Sequence, residues 1–168
     1  VMASMASMSN LSDQYLSYEK LLSECSEKIV WPELPENTAA GLCYTSGTTG
    51  NPKGALFSHR STVLHALSIS LNMGLYLGDG KKVLPVVPLF HVNAWGLPYA
   101  APLTGTSLVF PGPNLDGASL FKLMDHENVN SAWGVPTVWL GLLGEIRKQG
   151  KTPSQFQNVV IGGSAAPE

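Results

Sequence analysis

Cysteine is scarce. Cys25 and Cys43 are the two cysteines in 168 residues. Two thiols cannot build a disulfide framework, and their spacing is not that of metal ligands. Cys43 lies in an apolar run and reads as a small buried thiol, which fits a reducing, cytoplasmic setting. Charge is thin as well: ten Lys+Arg against twelve Asp+Glu leave a net charge of −2. Without a long basic run, a broad positive patch for nucleic acid is not expected, and any bound anion must be held locally. No apolar run approaches the roughly 18 residues of a membrane span, so no integral membrane segment is expected. The acidic residues are scattered and offer no carboxylate pair for general acid–base work. His59, His65 and His126 lack metal-ligand spacing. The opening "VMASMASMSN" has neither the basic start nor the apolar stretch of a signal peptide, and it begins on valine. The closing "VVIGGSAAPE" reads as a strand entering a turn. Both ends suggest a piece of a longer protein.

Hydrophobic residues make up 44% of the chain, enough for one globular domain with a sizeable core. Residues 12–27 carry a helical pattern of apolar positions, with Ser12 or Asp13 as cap. "WPELPENTA" (31–39) reads as an extended connector. Strands are expected at 39–45 and 55–59, then a helix at 60–77 capped by Ser61. Residues 82–90 form a continuous valine- and leucine-rich run, the mark of a strand buried on both faces, with His91 at its end. "NAWGLPYAAPLTG" reads as a helix broken by prolines. Strands follow at 106–112, in "SAWGV", and at 156–164. Helices are expected at 116–129 and 136–150, the latter with Pro136 in its first turn and Gly150 past its end. This alternation predicts an α/β fold: a layered, largely parallel sheet with flanking helices.

One stretch makes no sense as core. "YTSGTTGNPKG" (44–54) gathers the hydroxyls of Thr45, Ser46, Thr48 and Thr49, the glycines Gly47, Gly50 and Gly54, and Lys53. Polyphosphate is bound by inward backbone N–H groups, hydroxyls and a lysine, and glycine lets the backbone come close. A P-loop would place glycine at the sixth position from Gly47 and Ser or Thr after the lysine. Here Pro52 and Gly54 occupy those places, and a strand rather than a helix follows. The P-loop reading fails.

The stretch instead resembles the signature loop of the adenylate-forming superfamily, which contains acyl-CoA synthetases, luciferases and peptide-synthetase adenylation domains. Two further segments carry the resemblance. "FHVNAW" (90–95) looks most like medium- and long-chain fatty acyl-CoA synthetases of bacteria. "GGSAAPE" (162–168) is similar to the segment that packs on adenine. "WGVPTVW" (133–139) is similar to the stretch before the helix bordering the acyl pocket. The resemblance spans residues 31–168, read as a partial AMP-binding domain, and leaves 1–30 poorly assigned.

What it implies is activation of a carboxylate by ATP to an acyl-adenylate, then transfer to coenzyme A. Lys53 and the loop residues Thr45 to Gly50 would hold the phosphates, with Thr45 at Mg²⁺ and Thr48 as second choice. Ser164, Ala165 and Ala166 would pack on the adenine. His91 would stabilise the carboxylate region. Val92, Trp95, Val135 and Pro136 would line the fatty acid site, with Trp95 gating it. The glutamate segment after "GGSAAP", the ribose aspartate and the small C-terminal domain with its catalytic lysine are not in these 168 residues. The chain alone is therefore expected to be inactive. A homodimer of the full-length parent stays open. Two alternatives also stand: an aryl- or other carboxylate–CoA ligase, and a non-catalytic nucleotide-binding fragment.

Overall fold

A computed structural model describes residues 2–3, 16–45 and 50–165. It divides into two compact units, Val1–Leu34 and Pro35–Glu168. In the first, β1 (Met2–Ala3) pairs in parallel with β2 (Leu16–Ser17). The helix α1 (Tyr18–Ser23) follows, capped by the Ser17 hydroxyl, which accepts from the Lys20 N–H at 3.3 Å. This is shorter than the helix expected over 12–27. Its suggested caps, Ser12 and Asp13, lie outside the described residues. None of its residues is buried, so no packed face extends it beyond Ser23.

The second unit opens with an antiparallel hairpin of β3 (Ala39–Thr45) and β4 (Lys53–Ser58). The next helix, α2 (His59–Ser70), corrects the sequence reading at both ends. Its cap is Ser58, and Ser61 is the third helical residue in a reciprocal capping box. His59, expected to end the strand, starts the helix. The helix stops at Ser70 rather than 77. Asn72 Oδ1 accepts the Gly74 N–H at 3.0 Å and turns the chain into a 3-10 turn, Met73–Leu75.

Four strands then form a parallel sheet: β5 (Lys82–Pro85), β6 (Ser107–Leu108), β7 (Ser131–Gly134) and β8 (Asn158–Ile161), in spatial order β6-β5-β7-β8. The connections carry the short turn α3 (Val92–Trp95) and the helices α4 (Leu97–Thr104), α5 (Gly117–Glu127) and α6 (Pro136–Gln149). The α/β architecture with a largely parallel sheet is as the sequence implied. The strands are shorter than the apolar runs that announced them. The run 82–90 leaves the ladder after Pro85. Val86 and Val87 both donate to the Trp133 carbonyl, and Pro88 has no N–H to continue. His91 therefore sits in a loop and not on a strand end. Likewise 106–112 pairs only at Ser107–Leu108, and 156–164 only at Asn158–Ile161. The prolines of α4 do not break it. Pro98 falls in the first turn, and Pro102 merely omits one helical bond.

Alternation along the strands gives the sheet two cores. Leu84 and Ala132 point to one, with Leu120 and Met124 of α5 and Trp139 and Leu142 of α6. Val83 and Trp133 point to the other, with Val87, Ala94 and Leu97. Gly117 makes the first possible: α5 and α6 approach so closely there that an added Cβ would land on the Gly141 carbonyl. Asp116 caps α5. Its carboxylate accepts the Ser119 hydroxyl at 2.6 Å and the Ser119 N–H at 3.0 Å, which holds its pKa below the ordinary value.

Candidate functional site

The candidate residues collect where the parallel strands end. Ligands bind α/β sheets at the C-terminal strand ends. The chain leaving β5 carries His91 to Trp95, the chain leaving β7 carries Val135 and Pro136, and the chain leaving β8 carries Gly162 to Ala165.

The glycine loop is held at its base by the hairpin. Thr45 and Lys53 are cross-strand partners, and the Thr45 hydroxyl donates to the Lys53 carbonyl at 3.4 Å. Both are exposed. Gly50 has φ 151°, and an added Cβ would meet nothing within 4 Å. Ser46, Gly47, Thr48 and Thr49 lie outside the described residues. A cleft of about 510 Å³ runs beside the loop base. Cys43, Thr45 and Pro52 line one side, and Phe90, His91 and Val92 the other. The structure thus brings Thr45 together with His91 and Val92. It seats the cleft firmly: the buried Cys43 thiol donates to Asn93 Oδ1 at 3.6 Å.

The segment after His91 has an unusual backbone. Val92, Asn93, Ala94 and Trp95 all have positive φ, at 50°, 50°, 45° and 56°, and Gly96 follows at 86°. This is a left-handed turn built from four non-glycine residues, one of them β-branched. Asn93 tolerates this conformation; each of the other three costs roughly 1–2 kcal/mol, so the turn stores on the order of 3–6 kcal/mol. The burial of Ala94 and Leu97 holds it. Strain of this kind gathers at functional sites. Across the turn, Val92 faces the cleft while Trp95 packs onto the core beside Val83 and Trp133.

Trp95 forms a second group. Its indole covers Gly162: a Cβ there would lie 2.9 Å from Cη2 and Cζ2. Val135 closes in from the next strand end, with Cγ1 3.1 Å from the position of a Cβ on Gly163. Pro136 is buried in the first turn of α6, and Ser164 and Ala165 are exposed beyond β8. Ala166 lies outside the described residues. One member of this group escaped the sequence reading. Trp133 is buried beside Trp95, with ring centroids 6.4 Å apart and planes inclined at 31°. In sequence it looked like any core residue of a strand.

Among the described residues, no cluster of three His, Cys, Asp or Glu side chains could hold a metal ion. No helix among them is long and apolar enough to cross a membrane.

A family described as AMP-binding enzyme matches residues 5–168. This chain belongs to the AMP-binding enzyme family. Within the family it is 53% identical over 152 residues to a medium-chain-fatty-acid–CoA ligase of Ectopseudomonas oleovorans, covering 90% of this chain and 28% of that protein. It is 51% identical over 153 residues to a long-chain-fatty-acid–CoA ligase of Thermus thermophilus, covering 91% and 28%. The fold matches the inhibitor-bound N-terminal domain of FACL13 from Mycobacterium tuberculosis with a TM-score of 0.75 at 24% identity, over 92% of this chain and 39% of that one. The chain thus spans 28% of the length of these curated relatives.

Proposed function

We propose that the chain is part of an ATP-dependent fatty acid–CoA ligase. In this reading residues 31–168 contribute the phosphate loop and one wall of the acyl site in a partial AMP-binding domain. The observation that carries it is the cleft where the loop base, Thr45 and Pro52, faces His91 and Val92. A polyphosphate on the loop and a carboxylate beside His91 would share one cleft, where the carboxylate can approach the α-phosphate to the roughly 3–3.5 Å that attack requires. The likeness to fatty-acid–CoA ligases at about half identity supports the same reading.

The residues then divide the work. Lys53 is an exposed ammonium at the loop's end. It neutralises phosphate charge and stabilises pyrophosphate as it leaves. Backbone at Gly50 meets the phosphates without a Cβ in the way. The residues present fit Mg²⁺, because the exposed Thr45 hydroxyl keeps its lone pairs free while donating to Lys53. Thr45 would hold the ion, with Thr48 as alternative, and the ion would supply charge neutralisation on the phosphates while retaining most of its water. His91 orients the carboxylate. Ser164 and Ala165 offer a small-residue surface to the adenine, and Ala166 belongs to the same segment. Trp95, Val135 and Pro136 border the acyl chain, which leaves as the coenzyme A thioester. A cytoplasmic location fits the unpaired Cys25 and Cys43, and a homodimer of the full-length protein belongs to the same reading.

The test is thioester formation from ATP, Mg²⁺, coenzyme A and a fatty acid by the full-length protein that contains this stretch. Fatty-acid-dependent release of pyrophosphate is expected. Its absence with every fatty acid, or a preference for aromatic acids, would overturn the reading.

A further inference from the structure

Trp133 brings an unpartnered polar group into an apolar core. It is the largest fully buried side chain in the described structure, 2% exposed. Its indole N–H has no hydrogen-bond partner. A buried donor without an acceptor is destabilising. The contrast with Trp139 is sharp: that indole, also buried, donates to the Gly134 carbonyl at 3.2 Å. The other residues of β7, Ser131, Ala132 and Gly134, are all small. An aliphatic side chain at 133 would strand no N–H, although none matches the volume of the indole. Departures from local rules of this sort mark functional positions.

Its place in the sheet suggests the function. Trp133 pairs with Val160 on β8, and Gly162 lies two residues beyond Val160, so all three project from one face. Trp95 covers that face, with its ring edge against Gly162 and its flank toward Trp133. When the Trp95 ring moves aside, the space it leaves has a bare glycine as floor and the Trp133 ring as its wall. Val83, Val87 and Leu97 complete an apolar lining behind that wall.

We infer that Trp133 is a specificity-determining residue: it ends the acyl slot covered by Trp95 and restricts the protein to fatty acids of medium length. This rests on the ligase reading and on the acyl role of Trp95. A chain too long for the slot meets the Trp133 ring, and in a packed site each added methylene counts for about 10-fold or more in kcat/KM. Trp133 acts on the distal end of the chain, so the chemistry at the carboxylate is left alone.

The experiment is a chain-length profile of the full-length enzyme, from hexanoic to octadecanoic acid, for wild type, Trp133→Ala and Trp133→Phe. Wild type should favour octanoic over hexadecanoic acid. Trp133→Ala should shift kcat/KM toward hexadecanoic acid by about 10-fold or more relative to octanoic acid. Trp133→Phe, a milder truncation, should shift the ratio in the same direction by less. A residue with a merely structural role would lower activity on all chains alike and leave this ratio unmoved. An active enzyme with the same ratio in the Phe variant overturns the inference, even where the Ala variant fails to fold. So does a wild type that prefers hexadecanoic acid. A protein that forms no thioester from any fatty acid overturns the ligase reading itself, and the inference with it.

Discussion

Gly162→Ala should push the Trp95 indole off its seat. Gly162 has no left-handed backbone angle, so its main chain accepts alanine, and the obstacle is the ring alone. The new methyl would lie 2.9 Å from Cη2 and Cζ2 of Trp95. Carbon atoms pack best at about 3.5–4.0 Å. The ring must therefore retreat by roughly 0.6–1.1 Å within a packed core that also holds Trp133, its centroid 6.4 Å away. Overpacking of this size costs about 1–3 kcal/mol, and replacing glycine returns about 0.4–1 kcal/mol through the unfolded chain. Net destabilisation of up to about 2.5 kcal/mol is expected. The decisive assay is a double-mutant cycle with Trp95→Ala in the full-length protein, by urea unfolding followed through tryptophan fluorescence. With the ring gone, Gly162→Ala should turn mildly stabilising, giving a coupling of about 1–3 kcal/mol. Additivity within about 0.5 kcal/mol would show that methyl and ring do not meet, and would refute the placement of Trp95 over Gly162.

Three further outcomes follow from the flanking helices. Gly117→Ala should destabilise by about 3 kcal/mol, because its methyl strikes the Gly141 carbonyl, a backbone atom that cannot swing away. The reverse change, Gly141→Ala, meets only ordinary contacts at 3.7 and 3.9 Å and should be neutral, or stabilising by up to about 1 kcal/mol, in thermal unfolding. Asp116 should give the N-terminus of α5 a pH dependence. The Ser119 hydrogen bonds lower its pKa, so its contribution is complete above the ordinary carboxylate pKa and is lost as pH falls through the lowered one. Asp116→Ser keeps a cap without that charge, and acid unfolding below about pH 4 should then depend less steeply on pH.

Much of this was legible in the sequence because it rests on local rules. The turn from Thr45 to Lys53 was marked by glycine and proline, and the parallel sheet by apolar runs alternating with amphipathic helices. Where sequence and structure differ the physical origin is shared: apolar residues continue beyond the regular elements they adjoin. Val86 and Val87 are buried, yet both turn their N–H groups to one carbonyl and leave the ladder, which shifted His91 from a strand end to a loop. The period of α2 continued past Ser70, and the Asn72–Gly74 stop signal was outweighed by it. The left-handed turn at Val92–Trp95 could not be read at all. Apart from Asn93, its residues disfavour that backbone, and burial of Ala94 and Leu97 with the Cys43–Asn93 hydrogen bond sustains it. Trp133 escaped for a similar reason, since a stranded N–H and a neighbouring ring 38 residues earlier in the chain, Trp95, are visible only in three dimensions.

The account turns on the loop being a phosphate handle for carboxylate activation. The measurement that tests it most directly is fatty-acid-dependent ATP–pyrophosphate exchange by the full-length protein, wild type against Lys53→Ala. Loss of one preorganised charge contact to the reacting phosphates should lower the rate by about 10²–10³-fold, with the fold and thermal stability unchanged because Lys53 is exposed. Exchange at the wild-type rate in Lys53→Ala would contradict the assignment.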